Sequence, residues 1–517
     1  MWSYTANTTY MSRISCFFHA AQEEQIPVHE EKIPKFSVPV SSKSLADVFS
    51  GCADFTLRPV RIDGDPAAEI TLCWLDGLVS SKELSAQVLR PLADFAGSHN
   101  PDALLDSILS GGVWAGGAER CSDMDTLVRA LLSGSCAVVF DALNAAAVFE
   151  VRSETARAVS PPTVEKTVKG GKDAFVEVLR TNTALVRRRL RDPALKLIQL
   201  TIGRKSATPV AILYLDGVAN PDTPAELRRR LEDIDIDGLT AAGNLEQYLV
   251  DHPDSPFPQL LHTERPDRFA AELLAGRVGL LADGLPMGFL LPATLSAFMQ
   301  VAEDRAQHYL VASGLMLLRW VSALLSALFP AVLAAVSLYH QEMIPTKLLL
   351  SMIEARQQVP FSEGTEVLAM LIAFELLMEA GIRLPDPVGD TVSIIGALIV
   401  GQSAVEARVV SPVTVIVVAT SAICGFTLPS RDMGAALRLV RFAMVILAIL
   451  LGLYGIALGV AALVWYLSSL DSFGVAYTSP MAEGGFREVL RGLLRPPLRK
   501  VKLREAALRT PDRRNQK

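Results

Sequence analysis

Apolar and polar positions follow two different rhythms along this chain. Up to about residue 300, short β-rich runs alternate with amphipathic stretches. Beyond it, uncharged runs approach the length needed to cross a bilayer. In the first half the rhythm repeats. "EITLCWLDGLV" (69–79) matches "VAILYLDGVAN" (210–220) with Asp76-Gly77 and Asp216-Gly217 in register, and "LLSGSCAVVFD" (131–141) matches "LLAGRVGLLAD" (273–283). The two offsets, 140 and 142 residues, keep both order and spacing, which points to an internal duplication. Each unit reads as a strand stopped by an Asp-Gly turn, a helical stretch and a second strand. The expectation is an α/β region of two duplicated subdomains, 41–158 and 201–300, behind a flexible extension at 1–40. A helical connector at 159–200 joins the units. In it Phe175, Leu179, Val186 and Leu190 recur at helical spacing, and Arg187, Arg188, Arg189 and Arg191 crowd the negative end of the helix dipole.

The second half predicts an all-α, multi-span membrane domain over 301–470, followed by a basic cytoplasmic tail at 471–517. Three uncharged runs stand out: Trp320–Tyr339, which contains Pro330, Val409–Pro429 and Phe442–Leu467. A fourth, Thr391–Val405, is shorter. Four crossings keep both ends of the chain on one side. That leaves "GTEVLAMLIAFELLMEAGIRLP" (364–385) lying along an interface, re-entering, or packed inside a bundle.

This last segment carries Glu366, Glu375 and Glu379, and Gln402 and Glu406 follow. Glu375 and Glu379 share one helix face, as do Gln402 and Glu406, whereas Glu366 lies about 180° from Glu375. A charge at mid-bilayer costs at least ~2.5–3.5 kcal/mol, so these side chains have to face protein, water or the interface. In "SIIGALIVGQSAVEA" (393–407) small residues permit close helix approach, which serves either tight packing in one bundle or an oligomeric pore. In the pore reading Val392, Ile395 and Ile399 form a hydrophobic gate.

Composition agrees with a chain that is part soluble and part membrane: 50% of residues are hydrophobic and the mean hydropathy is +0.32. Net charge is −6, yet the residues from Arg487 onward hold 11 Lys/Arg against Glu488, Glu505 and Asp512. Basic residues after an apolar region mark a cytoplasmic segment attracted to anionic lipid. The six cysteines have no CxxC spacing and read as reduced structural thiols, and the seven histidines have no ligand spacing. No phosphate-binding glycine loop, GxSxG or HExxH motif is present. The expectation is therefore no enzyme, no catalytic residue, no metal and no cofactor.

Longer motifs carry a resemblance. "FVEVLRTNTALVRRRLRDP", "LYHQEMIPTKLLLSMIEARQQVPF", "FELLMEAGIRLPDPVGDTVSIIGALIVGQSAVEARVVSPVTVIVVA" and "SFGVAYTSP" strongly resemble the A-subunit family of GerA-type spore germination receptors. The resemblance runs from about residue 40 to the tail and departs at Ala476, where the family usually has proline. It implies a multi-pass protein of the inner spore membrane whose N-terminal region and tail are cytoplasmic. It also implies partners, a permease-like B subunit that senses the germinant and a C subunit that is a lipoprotein, and a homo-oligomeric ring that releases cations. The stage V sporulation protein AF type shares this architecture. On this reading the chain is the A subunit of a nutrient germinant receptor and forms a ligand-gated cation channel, in which Glu375, Glu379 and Glu406 attract cations or link the gate by hydrogen bonds. A monomeric cation- or proton-coupled secondary transporter and a non-conducting membrane scaffold are the alternatives.

Overall fold

The computed structural model describes residues 36–62, 69–93, 100–111, 118–153, 162–357, 359–383, 401–482 and 486–516. Its soluble half holds two five-stranded sheets. The first contains β1 (Phe55–Arg61), β2 (Glu69–Leu75), β3 (Ala118–Cys121), β4 (Ser135–Phe140) and β5 (Ala145–Glu150), in the order β1-β2-β4-β5-β3. The second contains β6 (Leu195–Ile202), β7 (Thr208–Leu215), β8 (Leu261–Thr263), β9 (Val278–Ala282) and β10 (Gly288–Leu291), in the order β6-β7-β9-β10-β8. The orders are the same once five is added to each strand number. The segments that match in sequence occupy equivalent places, β2 with β7 and β4 with β9.

Every pairing between these strands is antiparallel. The strand–helix–strand pattern expected from the sequence is thus part of a mixed α/β unit built on an antiparallel sheet. Asp76-Gly77 and Asp216-Gly217 end β2 and β7 with the glycines at φ 82° and 74°, a conformation that favours glycine.

Alternation along the strands builds a core on both faces of each sheet. In the first, Ile70 and Leu72 face a cluster with Val88, Leu104 and Ile108, while Cys73 and Leu75 face one with Leu45 and Leu131. Helix α1 (Met124–Leu132) supplies Leu127, Val128 and Leu131 to the second of these. The five described cysteines are free thiols, and burial pushes Cys136 up to about 12, as suits an unreactive structural residue.

The connector forms helix α2 (Leu179–Arg189) and bridges the two units. Arg187, 1% exposed, donates to both carboxylate oxygens of Asp54 (2.7 and 2.8 Å) in the first unit, and the Leu179 N–H donates to Asp283 in the second. Arg180 reaches Asp76, and Arg189 reaches Asp173. Arg180 and Arg187 thus tie the connector to the first unit by ion pairs, and the Leu179 N–H ties it to the second.

In the second unit one face packs on helix α3 (Pro266–Ala275) and continues into the helical half. Phe257, Phe269, Leu273 and Phe298 share a cluster with Ala323, Ala327, Leu428, Met433 and Leu437. The helical half contains α4 (Tyr309–Tyr339), α5 (Thr346–Arg356), α6 (Glu363–Arg383), α7 (Pro412–Phe426) and α8 (Arg431–Ser469). Helix α4 runs on through Pro330, and a stripe of Ser322, Ala323, Ser326, Ala327, Ala331, Ala334 and Ala335 is buried along it. These small side chains admit neighbouring helices closely. Among the described residues, α4 and α8 are long and apolar enough to cross a membrane.

The single uncharged run Phe442–Leu467 is divided. Gly452, at φ 65° and ψ −144°, breaks α8 into arms 431–451 and 453–469. The arms fold back on each other: a Cβ at Gly459 would lie 2.6 Å from Met444 Sδ. Both outer ends of α8 return to the soluble half, Asp432 beside His262 and Tyr466 beside Phe257. The bend lies at the far end of α4, where the Tyr339 hydroxyl donates to Ile449 O at 2.7 Å. Helix α6 starts at the same far end, with Gly364 against Ile449, and returns towards the soluble half. Val367, Met370 and Leu371 of α6 are buried against the bundle, whereas Ile372 and Leu376 are exposed.

Residues 471–476 form a hairpin, β11 (Asp471–Ser472) and β12 (Val475–Ala476), turning through Phe473 and Gly474 at φ 50° and 72°. Ala476, the departure from the family pattern, occupies its second strand. The hairpin fastens to the second unit: Ser472 Oγ donates to Gln259 O and accepts from the Ala293 N–H, both at 3.1 Å, and the Phe473 N–H donates to Asp251.

Candidate functional site

The carboxylates of the apolar half are paired with groups that lie far away in sequence. At the far end of the bundle the first turn of α6 places Glu363 and Glu366 side by side, 0% and 1% exposed. Arg356, at the end of α5, contacts both, with Nη1 2.6 Å from Glu363 Oε2 and Nε 3.7 Å from Glu366 Oε1. The Ser411 N–H donates to Glu366 Oε2 at 2.8 Å, and the Thr414 hydroxyl lies 3.2 Å from Glu363 Oε1. Ser411 is the N-cap of α7, so Glu366 sits at the positive end of that helix dipole.

Nine residues beyond Glu366 on α6, Glu375 meets Arg438 on the first arm of α8, Nη1 to Oε1 at 2.6 Å, with Arg441 Nη2 4.0 Å from its other oxygen. Arg441 Nη1 also donates to Ser421 Oγ at 3.2 Å, and Ser421 Oγ donates to Ser326 O at 2.8 Å. One polar seam therefore crosses α6, α8, α7 and α4 through an otherwise apolar bundle. Each ionised group in it has an opposite charge or a hydrogen-bond partner, which is the condition for keeping it out of water.

Gln402 donates from Nε2 to Glu406 Oε1 at 2.9 Å on an exposed turn. Glu379 occupies an exposed position on α6. Val392, Ile395 and Ile399 lie outside the described residues. The structure thus divides the proposed carboxylate network into four places: Glu366 at the far end, Glu375 in the seam, Glu379 exposed on α6, and Gln402 with Glu406 on the surface.

Sequence reasoning passed over Glu363, Arg356, Arg438 and Arg441. A signal was present: Arg438 and Arg441 stand three apart within an apolar stretch, and such cations require a counter-ion.

A second set of ion pairs joins the soluble half to α4. Asp304, 3% exposed, receives both terminal nitrogens of Arg319 (2.6 and 2.9 Å). Glu272 on α3 lies between Arg277 (3.0 Å) and Arg305 (2.5 Å). Burial pushes the Glu272 carboxyl up, but the surrounding Arg305, Arg277 and Arg268 outweigh it and hold it below the usual range. Among the described residues, no three His, Cys, Asp or Glu side chains converge as a metal site would require. The arrangement holds charged helices in a defined register.

The sequence profile described as "Bacillus/Clostridium GerA spore germination protein" matches residues 43–507. Spore germination protein KA of Bacillus subtilis (strain 168) is 34% identical over 471 residues, covering 90% of this chain and 86% of that one. The uncharacterized membrane protein YfkQ of the same organism is 35% identical, with 88% of each chain covered. Among solved structures, the N-terminal domain of the A subunit of the Bacillus megaterium spore germinant receptor GerK3 shares 27% identity. It covers 49% of this chain and 93% of that one, at a TM-score of 0.37. With the match running through both the soluble and the helical halves, the chain belongs to the GerA family of spore germination proteins.

Proposed function

We propose that this chain is the A subunit of a nutrient germinant receptor in the inner spore membrane, where copies assemble into a ligand-gated cation channel. The reading is non-enzymatic. A permease-like B subunit senses the nutrient, a lipoprotein C subunit completes the complex, and a bound nutrient biases a two-state helix bundle. The observation that carries it is the seam of Glu375, Arg438, Arg441, Ser421 and Ser326, which ties four helices together by ion pairs and hydrogen bonds inside an apolar bundle. Because Glu375 is paired within the subunit, its role is to link helices rather than to attract cations.

Taking α4, α6, the segment 391–405, α7 and the two arms of α8 as passes gives six crossings in place of four. An even number still keeps the N-terminal region and the tail on the cytoplasmic side. Val392, Ile395 and Ile399 are the gate.

The test is ion flux from liposomes that hold the chain with its partner subunits. Val392→Ser and Ile395→Ser should leak without nutrient. Variants as tight as the parent would refute the gate. Cross-linking that yields only monomers would refute the ring and favour a secondary transporter, and no flux under any condition would leave a scaffold.

A further inference from the structure

At the foot of α4 the second unit, the linker to α4 and the C-terminal tail enclose a cavity of about 200 Å³. Met316, Leu494 and Leu503 line its apolar side, and Arg305, Arg495 and Arg504 its basic side. The tail is fixed there by Ser313, whose Oγ donates to Arg495 O at 3.0 Å and accepts from the Arg495 N–H at 3.1 Å. Ser313 precedes the uncharged run that opens at Trp320, so the cavity lies where α4 passes from the soluble half into the apolar bundle.

The charges around it are unevenly matched. Arg305 is engaged by Glu272, Arg504 by Asp512, and Asp304 by Arg319. Arg495, by contrast, donates to two backbone carbonyls, Gln307 O at 3.4 Å and Arg305 O at 3.2 Å. Burial, then the Arg305 guanidinium, push Arg495 below the usual arginine range against a smaller pull from Asp304. An anion entering the cavity would give Arg495 a counter-charge.

Two further features narrow the ligand. Glu505 also lines the cavity, and its Oε2 is buried without a hydrogen-bond partner, 3.5 Å from Arg277. An acceptor left in that state is suited to a ligand hydroxyl. Helix α9 (Phe486–Leu493), which leads into the cavity wall, spaces Val489, Leu490 and Leu493 on one side and Arg491 elsewhere. That is the pattern of a basic helix lying in a lipid interface.

We propose that this cavity binds the headgroup of an anionic, hydroxyl-bearing phospholipid from the leaflet facing the soluble half. Arg495 holds the phosphate, Glu505 accepts from the headgroup hydroxyl, and Met316, Leu494 and Leu503 cover the glycerol and first acyl carbons. The proposal rests on reading α4 as a membrane pass. The bound lipid would clamp the tail against α4 and the second unit.

The full chain is reconstituted in nanodiscs of phosphatidylcholine with and without phosphatidylglycerol, extracted, and its retained lipid counted by native mass spectrometry. The parent should retain phosphatidylglycerol in preference to phosphatidylcholine, and Arg495→Gln should lower that retention by about fivefold. Arg495→Lys, which keeps the charge, should lose less. Equal retention of the two lipids by the parent, or unchanged selectivity in Arg495→Gln, overturns the proposal. Inorganic phosphate is titrated into lipid-free protein in parallel. Binding that needs Arg495 and is not displaced by phosphatidylglycerol would make the ligand a soluble phosphate and also overturn it. Failure of the chain to enter nanodiscs at all would instead refute the membrane reading beneath it.

Discussion

Arg438 donates from Nη1 to Glu375 Oε1 at 2.6 Å and so fixes the rotation of α6 against the first arm of α8. Removing Arg438 leaves the half-buried Glu375 with only the more distant Arg441 as counter-ion, whereas removing both members of the close pair strands neither of them. Arg438→Met should therefore destabilise the detergent-solubilised chain by about 2 kcal/mol, and Glu375→Gln with Arg438→Met should restore part of the loss. Thermal unfolding of the two single variants and the double variant measures the coupling. Strict additivity would show that the contact carries no structural load.

Gly452 divides α8 in a region of backbone space that L side chains rarely adopt, and a Cβ there would lie 3.1 Å from Tyr339 Cδ2. Gly452→Ala should cost about 1–3 kcal/mol and lower the yield of folded protein. Geometry makes a second, independent demand. Single cysteines at Arg431 and Ser469 should be labelled from the same side of the membrane, because the two arms return together. Labelling from opposite sides would mean one continuous span and no bend.

These contacts show which parts of the structure could be read from the sequence. Asp76-Gly77 and Asp216-Gly217 were legible because a turn is a local event, settled by the two residues that make it. The repeat offsets likewise located β2, β4, β7 and β9. Strands β1, β3 and β5 were not legible as members of the same sheet, since their pairing depends on neighbours far along the chain. Phe442–Leu467 read as one span because a single glycine in an apolar run changes hydropathy little, while its φ changes the topology. That Glu366 and Glu375 call for polar partners was legible from the apolar run around them, but not which groups supply them, because Arg438 is 63 residues from Glu375 and Ser411 is 45 from Glu366. Arg187 is the same case in the soluble half: helix dipole was the local explanation, and Asp54, 133 residues away, is its partner.

That Asp54–Arg187 pair makes a strong prediction for the soluble half. Both side chains are almost fully buried, 6% and 1% exposed, and the geometry is bidentate. Asp54→Ala strands the guanidinium of α2 between the two units and should cost about 3–5 kcal/mol. Arg187→Lys should also destabilise, because a single ammonium cannot match both carboxylate oxygens. Chemical denaturation of the full chain, followed by limited proteolysis near residue 190, reads both effects. A stability within 0.5 kcal/mol of the parent for Asp54→Ala would deny the connector its role in joining the units.

Glu272 gives the pH dependence. Its carboxyl is buried, which alone would raise it from the ordinary 4.5, but Arg305, Arg277 and Arg268 prevail and lower it. Above pH 4.5 the group is ionised in both folded and unfolded chains, and its full contribution to stability is present. As pH falls below 4.5 the unfolded chain takes up the proton first, so that contribution is lost progressively until the folded carboxyl also protonates. Glu226 acts in the same direction, held at about 2 by hydrogen bonds from Arg229 and Arg230, although its partial exposure makes its share smaller. The full chain should therefore lose thermal stability between pH 4.5 and pH 2. Glu272→Gln, which cannot titrate, should be less stable than the parent at pH 7 and show a shallower decline on acidification. A variant whose decline is as steep as the parent's would show that the Glu272 cluster joining α3 to the linker does not govern the acid sensitivity of this junction.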